Sequence, residues 1–476
     1  MASAVPPPVI VSEPPGPAVV RSPTDVLRAA VAAAVLAVLV LLGTLFGNEI
    51  QSFLAELLRG VDAIGVHLLD AIVVGTRAFT VVVAVAGVGA ALVTRRWRLL
   101  LTLVVAGAIG AALAAVATQV IDTVEAPLVN PSVDLGLVSR QDFPTLAGVG
   151  AAAALLTAAE PWLGRRWRRV GWVLVIALAF SRFLTAPVSF DVAIALTSGW
   201  LAGAVVLVAA GGPNRRPTGQ AVADALLAAG VPLATLAPAS VDARGSTPYF
   251  GTTTDGRRVF AKALAQDERS ADLLFRLYRS IVPRDLGDER PFSSLRRMVE
   301  HEALVSLMAH SHGITTPKVL AFAAAPPGGY VLSYEGIDGS SLDGVDPDAL
   351  TDEVLDQIWA QIETLRYHRI AHRDLRLANV FLGADGQIAM IDFGFSELAA
   401  SDLLLRTDIA ELLASLSLSV GPDRALAAAV RALGPETVAD ATDRLTPGSL
   451  SGATRTAYKE RPGELAALQA SCRALT

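Results

Sequence analysis

Six stretches of about twenty apolar residues, the length that crosses the hydrocarbon core of a bilayer, fill the first 210 positions of this 476-residue chain. They run at about 26–46, 70–93, 99–121, 144–163, 170–188 and 192–211 and consist chiefly of Ala, Val and Leu. Inside lipid no water is available to backbone N–H and C=O groups, so such segments are restricted to helices that satisfy those groups internally. They also account for a mean hydropathy of +0.50, high for a purely soluble protein. Charged residues return after Asn214, which sets a domain boundary near Gly211 to Gln220.

The flanks of these segments predict how they are threaded. Arg95, Arg96 and Arg98 follow the second, Arg165 to Arg169 the fourth, and Arg215 and Arg216 the sixth. Loops after the odd-numbered spans carry Glu49, Asp122, Glu125, Asp134 and Asp191 instead. The positive-inside rule then makes this a multi-pass protein of the cell membrane with its N-terminus and C-terminal half cytoplasmic. Gly87, Gly89, Gly107, Gly110, Gly148 and Gly150 suit close helix packing. From Glu49 to Leu68, apolar Ile50, Phe53, Leu54, Leu57, Leu58, Val61 and Ile64 recur at helical spacing among Gln51, Glu56, Arg59 and Asp62, which predicts an amphipathic helix on the membrane surface or against the bundle. The repeated prolines between Ala4 and Pro23 predict a disordered tail over 1–25.

A single cysteine, Cys472, excludes an intrachain disulfide, and a net charge of -6 argues against nucleic acid as the main partner. Three of the 39 basic residues are lysines (Lys262, Lys318 and Lys459), the bias of high-GC bacterial coding, so a lysine at a chemically special position is informative. Lys262 is such a case. Asp255-Gly256 marks a hairpin turn between Tyr249–Thr253 and Arg258–Leu264, and Val259-Phe260-Ala261-Lys262 alternates apolar residues around the lysine. Alone, this would be an ordinary lysine on an edge strand. Further on, Ala371-His372-Arg373-Asp374-Leu375 follows a predicted helix at Asp352–Tyr367, Asn379 lies five residues after the aspartate, and two short strands lead to Asp392-Phe393-Gly394.

That set matches a kinase catalytic loop and metal-binding motif at their usual separation. Phosphoryl transfer depends mainly on positioning and charge neutralisation. Lys262 would hold ATP phosphates, Asn379 and Asp392 would ligate Mg²⁺ through hard oxygens, and Asp374 would take or orient the proton of the attacking hydroxyl. Glu302 is the predicted partner of Lys262, with Glu300 as the alternative register. Positions 237–435 resemble the protein-kinase-like superfamily, in detail its atypical members such as RIO kinases and aminoglycoside phosphotransferases.

The resemblance implies that Gly245, Ser246 and Thr247 cover the phosphates, that backbone groups from Ser333 to Glu335 meet adenine, and that Asp408 supports the catalytic loop. The sequence departs from the family in having one glycine in Ala243-Arg244-Gly245-Ser246-Thr247, no A-P-E motif, and an extra predicted helix at Glu268–Arg279. Without a peptide-docking segment, a lipid, sugar or small-molecule acceptor is expected. In the membrane half, Phe143-Pro144-Thr145-Leu146-Ala147, Ser181-Arg182 and Asp191 faintly resemble the type 2 phosphatidic acid phosphatases, yet both motif histidines are missing. That kinship implies a catalytically dead relative able to hold a lipid phosphate through Arg182. The plainer reading has Arg182 pairing with Asp191 or reaching to the interface, and Arg77 carries the same ambiguity.

The expected architecture is an α-helical transmembrane bundle of about six helices (26–211), a linker (212–236), an α+β two-lobed protein-kinase-like domain (237–435) and a tail (436–476). The expected activity is that of a membrane-tethered, ATP- and Mg²⁺-dependent phosphotransferase whose partners are membrane lipids and ATP. The alternatives are a nucleotide-binding pseudokinase regulating the membrane domain or a membrane-protein partner, and a transporter or lipid flippase with the kinase-like domain as sensor.

Overall fold

The computed structural model describes residues 8–59, 66–119, 134–186, 189–240, 246–265 and 295–475. They divide into two compact units, one of Pro17–Asn214 and one joining the residues up to Gly16 to Arg215–Thr476.

The first unit is helical: α1 (Pro23–Arg59), α2 (Val66–Val93), α3 (Trp97–Thr118), α4 (Leu146–Ala159), α5 (Arg165–Thr185) and α6 (Asp191–Ala210). Four are long and apolar enough to cross a membrane, over Pro23–Glu49, Leu68–Val93, Trp97–Thr118 and Asp191–Ala210. The other two expected spans fall short for different reasons. At about 1.5 Å per residue, the 14 residues of α4 cover ~21 Å against a core of ~30 Å, and Pro161 ends it in a 3₁₀ turn. α5 begins with Arg165, Arg166, Arg168 and Arg169, which remove its first turn from the apolar stretch. The amphipathic segment is no separate helix at its start. It continues α1 across a kink at Phe46 (φ -130°, ψ 20°) to Arg59, and residues 60–65 lie outside the described ones.

Small residues bring α3, α4 and α6 into backbone contact. A Cβ built at Gly199 would stand 2.1 Å from the Gly150 carbonyl oxygen, and one at Gly150 would stand 2.6 Å from that of Gly110. Gly87 and Gly89 have nothing within 4 Å, so their expected packing role is not met. Arg77 is fully buried and clamps α2 to its neighbours. Its guanidinium donates to Ser181 Oγ (3.1 Å) and O (3.1 Å), to Thr185 Oγ1, and to the carbonyls of Val138 (3.3 Å) and Arg140 (3.0 Å). Those five acceptors occupy all five guanidinium N–H donors, which gives Arg77 a structural role in holding α2.

Within the same unit, strand β2 (Val19–Val20) pairs antiparallel with β3 (Gly212–Pro213), and Arg21 donates to Ala209 O at 3.2 Å. The chain therefore enters α1 beside the point where it leaves α6.

The second unit opens with a six-stranded sheet in the order β1-β4-β5-β6-β8-β7, formed by Ile10–Val11, Leu233–Pro238, Thr247–Thr253, Arg258–Leu264, Gly329–Glu335 and Val319–Ala325. Side chains of successive strand residues face opposite sides. Val259, Ala261 and Ala263 pack under helix α7 (Gly219–Ala228) through Val222 and Leu226, while Leu264 packs with Leu295, Val299 and Ala303 of α8 (Leu295–Ser311). A separate core around Trp359, Ile362, Ile409 and Leu413 holds the later helices together.

Three expected boundaries change. The 212–236 linker contains α7 and the start of β4, because Val222 and Leu226 lie one turn apart and are both fully buried. The 436–476 tail folds into helices Gly452–Lys459 and Glu464–Arg473, with Leu450, Tyr458, Leu468 and Cys472 in the Trp359 core. The proline-rich tail is ordered at β1, which adds in parallel to β4 with Ile10 opposite Thr235. Glu13 anchors it by accepting from Tyr249 Oη at 2.8 Å and from the backbone amide of Gly219.

Candidate functional site

The residues singled out in the C-terminal half converge. On β6, the strand pleat turns Lys262 to the side occupied by α8, where its Nζ lies 2.9 Å from Glu302 Oε1 and 2.7 Å from Asp392 Oδ1. Glu302 is buried, and Tyr334 Oη donates to the same Oε1 at 2.9 Å. Glu300, the alternative register, pairs instead with Arg296 one turn away at 2.6 Å on the surface. Burial opposes the Lys262 charge most strongly, but the Asp392 and Glu302 carboxylates together outweigh it and hold the ammonium above its ordinary range. Burial likewise opposes the Asp392 charge, and Lys262 reverses that, keeping the carboxyl below the usual range. Burial pushes the Tyr334 phenol up, with Glu302 adding to it.

Below the sheet, the loop 372–379 is held from behind. Asp408, on the helix Asp402–Val420, accepts from the backbone amides of His372 (2.6 Å) and Arg373 (2.8 Å). The buried His372 ring joins Ile391 O at 2.9 Å through Nε2 and packs against Phe393 with centroids 4.9 Å apart. Burial lowers the His372 imidazole from its ordinary range. Asn379 Nδ2 donates to Asp374 O (2.7 Å) and Oδ2 (3.0 Å), and Arg376 Nε lies 2.9 Å from Asp374 Oδ1. Arg373 (φ 64°) and Asp392 (φ 65°) both adopt the left-handed backbone region. Such strain costs about 1–3 kcal/mol per residue and gathers at functional sites.

Burial pushes the Asp408 carboxyl up to about 7, against the pull of its two amide donors. Its unfolded value is about 3.9. The native state therefore binds the extra proton in the window between, so the stability this group contributes is complete below about pH 4 and is lost as pH rises through about 7. Across pH 5–7, the stability advantage of wild type over Asp408→Asn is expected to shrink by about 1 kcal/mol per pH unit, as read by denaturant unfolding at a series of pH values. An advantage independent of pH would mean that the amides keep the carboxylate charged throughout.

The remaining predicted positions divide. Thr247 starts β5, opposite Ala263, with Ser246 just before it, while Gly245 lies outside the described residues together with Ala243, Arg244 and the predicted helix Glu268–Arg279. Ser333 is mid-sheet, paired with both Ala261 and Ala321, and its hydroxyl donates to Ala321 O at 3.3 Å. Its side chain is fully buried on the Ala261 side, opposite Lys262, so any part it plays at the site is through the backbone, as expected of residues 333–335. The Glu335 amide donates to Lys318 O at 2.9 Å. Tyr334, Arg376 and Asp408's partner amides were less legible, although Arg376 stands only two residues after Asp374.

In the membrane unit, Thr145 caps α4 by accepting from Gly148 N at 3.0 Å, and Ser181 is taken up by Arg77. Arg182 donates to Gln141 O at 2.9 Å, and Asp191 accepts from Ser189 Oγ at 2.8 Å. Among the described residues no ion pair joins Arg182 to Asp191.

No family model matches the chain. A 48-residue segment is 46% identical to the serine/threonine-protein kinase kin-29 of Caenorhabditis briggsae, covering 10% of this chain and 6% of that protein. A 68-residue segment is 29% identical to an uncharacterised protein of Dictyostelium discoideum, covering 14% and 7%. The chain thus spans less than a tenth of the length of these curated relatives, and neither similarity reaches the size of a domain.

Proposed function

We propose that the sheet-containing C-terminal half is a two-lobed, kinase-like domain that binds ATP with Mg²⁺ and transfers the γ-phosphoryl group to a hydroxyl of a lipid, sugar or small molecule at the cytoplasmic membrane face. The observation that carries this reading is Lys262 held between Glu302 and Asp392, above a loop in which Asn379 positions Asp374. In protein kinases the lysine–glutamate pair must form for the phosphates to be gripped. The donor set fits the cofactor: Asp392 offers carboxylate oxygens, and Asn379, whose amide nitrogen serves Asp374, retains its carbonyl oxygen. Bound Mg²⁺ would neutralise phosphate charge. Lys262 would orient the phosphates, and Asp374 would accept the acceptor hydroxyl's proton.

Mg²⁺-dependent ATP binding and turnover by the full chain in lipid nanodiscs test this. Binding with no turnover in any lipid mixture would favour the pseudokinase reading, for which the single glycine among residues 243–247 speaks. Absence of ATP binding would overturn the kinase-like reading itself.

A multi-pass cell-membrane location with both ends cytoplasmic is part of this proposal. The β2–β3 pairing supports an even number of crossings between Pro23 and Ala210, and the arginine-rich loops support the inward direction. Tags at the N- and C-termini are expected to be digested together by protease added to the cytoplasmic face and protected together from the other. Digestion of one without the other would overturn the topology.

A further inference from the structure

The helices Gly452–Lys459 and Glu464–Arg473, together with the segment before them, frame a half-open hollow of about 410 Å³, within the range of small-molecule sites. Its walls are apolar, formed by Leu445, Tyr458 and Leu465 among others, and three cations line it: Arg455, Lys459 and Arg461. No carboxylate is among the lining residues, in a chain whose net charge is -6. The other polar groups there already have partners. Tyr458 Oη bonds Ser417 Oγ (2.5 Å) and Ala414 O (3.1 Å), Thr446 Oγ1 bonds Ser449 Oγ (3.1 Å), and Gln469 Nε2 donates to Thr442 O (3.3 Å).

The cations are only partly engaged. Arg455 gives one bond to Pro447 O (3.3 Å); Arg461 gives one to Leu418 O (3.3 Å) and lies 3.8 Å from Glu464. Lys459 makes no hydrogen bond or ion pair among the described residues. Two guanidiniums and an ammonium beside an apolar hollow match an anion with oxygens to spare attached to an apolar body.

We propose that this hollow binds an anionic amphiphile with a phosphate headgroup, separately from the nucleotide site. The phosphate meets Arg455, Lys459 and Arg461, and the apolar body lies against Leu445, Tyr458 and Leu465. Four helices long enough to cross a bilayer keep such lipids within reach of the chain.

The test titrates the full chain in neutral detergent, by calorimetry, with dioctanoyl phosphatidic acid, dioctanoyl phosphatidylcholine and inorganic phosphate. Phosphatidic acid is expected to saturate one site and to bind roughly tenfold tighter than either control, since each control lacks one half of the recognition. Lys459→Ala should weaken it about fivefold and Lys459→Ala with Arg461→Ala about twentyfold, whereas Lys459→Arg should stay within about twofold. Lys459 is exposed and has no partner among the described residues, so its single variants keep the wild-type melting temperature. Asp392→Ala should leave phosphatidic acid binding unchanged, which separates this site from the nucleotide. Equal binding of phosphatidylcholine would reduce the site to a nonspecific apolar hollow. Inorganic phosphate as tight as phosphatidic acid would make it a free-anion site, and undiminished binding by the double variant would place the lipid elsewhere; each of these overturns the proposal.

Discussion

Asp374→Ala is expected to lower Mg²⁺-dependent ATP turnover in nanodiscs by about 10²–10⁴-fold, the range for loss of a positioned general base, while nucleotide affinity changes little. The two effects separate because, among the described residues, the Asp374 carboxylate meets Asn379 and Arg376 of its own loop rather than Lys262. Asp392→Ala should behave differently. It removes both a carboxylate for Mg²⁺ and the 2.7 Å partner of Lys262, so Mg²⁺-dependent binding itself should collapse. Equal loss of binding in the two variants would mean that Asp374 shapes the nucleotide pocket and would remove it from the role of base.

In the membrane unit, Gly199→Ala is expected to destabilise by at least about 2 kcal/mol, at the upper end of overpacking costs, measured by thermal unfolding in detergent. The new methyl would stand 2.1 Å from the Gly150 carbonyl oxygen and 2.7 Å from Ala153 Cβ. Neither can swing aside: the first is backbone, the second a Cβ fixed to it. Helices α4 and α6 must therefore separate along their buried seam. Gly87→Ala, with nothing within 4 Å, is the matched control and should be neutral or slightly stabilising, since alanine is the better helix former. Equal behaviour of the two variants would show that α4 and α6 do not touch at Gly199.

These outcomes bear unequally on what the sequence made legible. Lys262, Asp374, Asn379 and Asp392 stood out because the proposed chemistry would fix both residue type and spacing, and the structure brings Lys262 to Asp392 across 130 positions. The choice between Glu302 and Glu300 needed the rotation of a helix about its axis, which a sequence register does not give. Tyr334, between Ser333 and Glu335, was not singled out although it bonds Glu302, because the face of a strand that meets a site is not given by its sequence alone. The four longest apolar stretches are helices of spanning length, but segment counting overestimated α4 and α5, whose shortness and arginines matter more than mean apolarity. Least legible were the ordered tail at 436–476 and the strand at Ile10–Val11, whose partners are remote in sequence; periodicity within a window cannot register them.

The anchoring of Glu13 to Tyr249 joins residues 236 positions apart, and this has a consequence for biosynthesis. At ordinary translation rates the N-terminal segment waits roughly 10–50 s for its docking strand to emerge. The six helices between them are made in that interval, so the edge of β4 can close only afterwards. Under the proposed membrane topology, completion of this sheet would come late in threading: an odd number of crossings between Pro23 and Ala210 would leave Ile10 and Thr235 on opposite sides of the bilayer and the sheet one strand short.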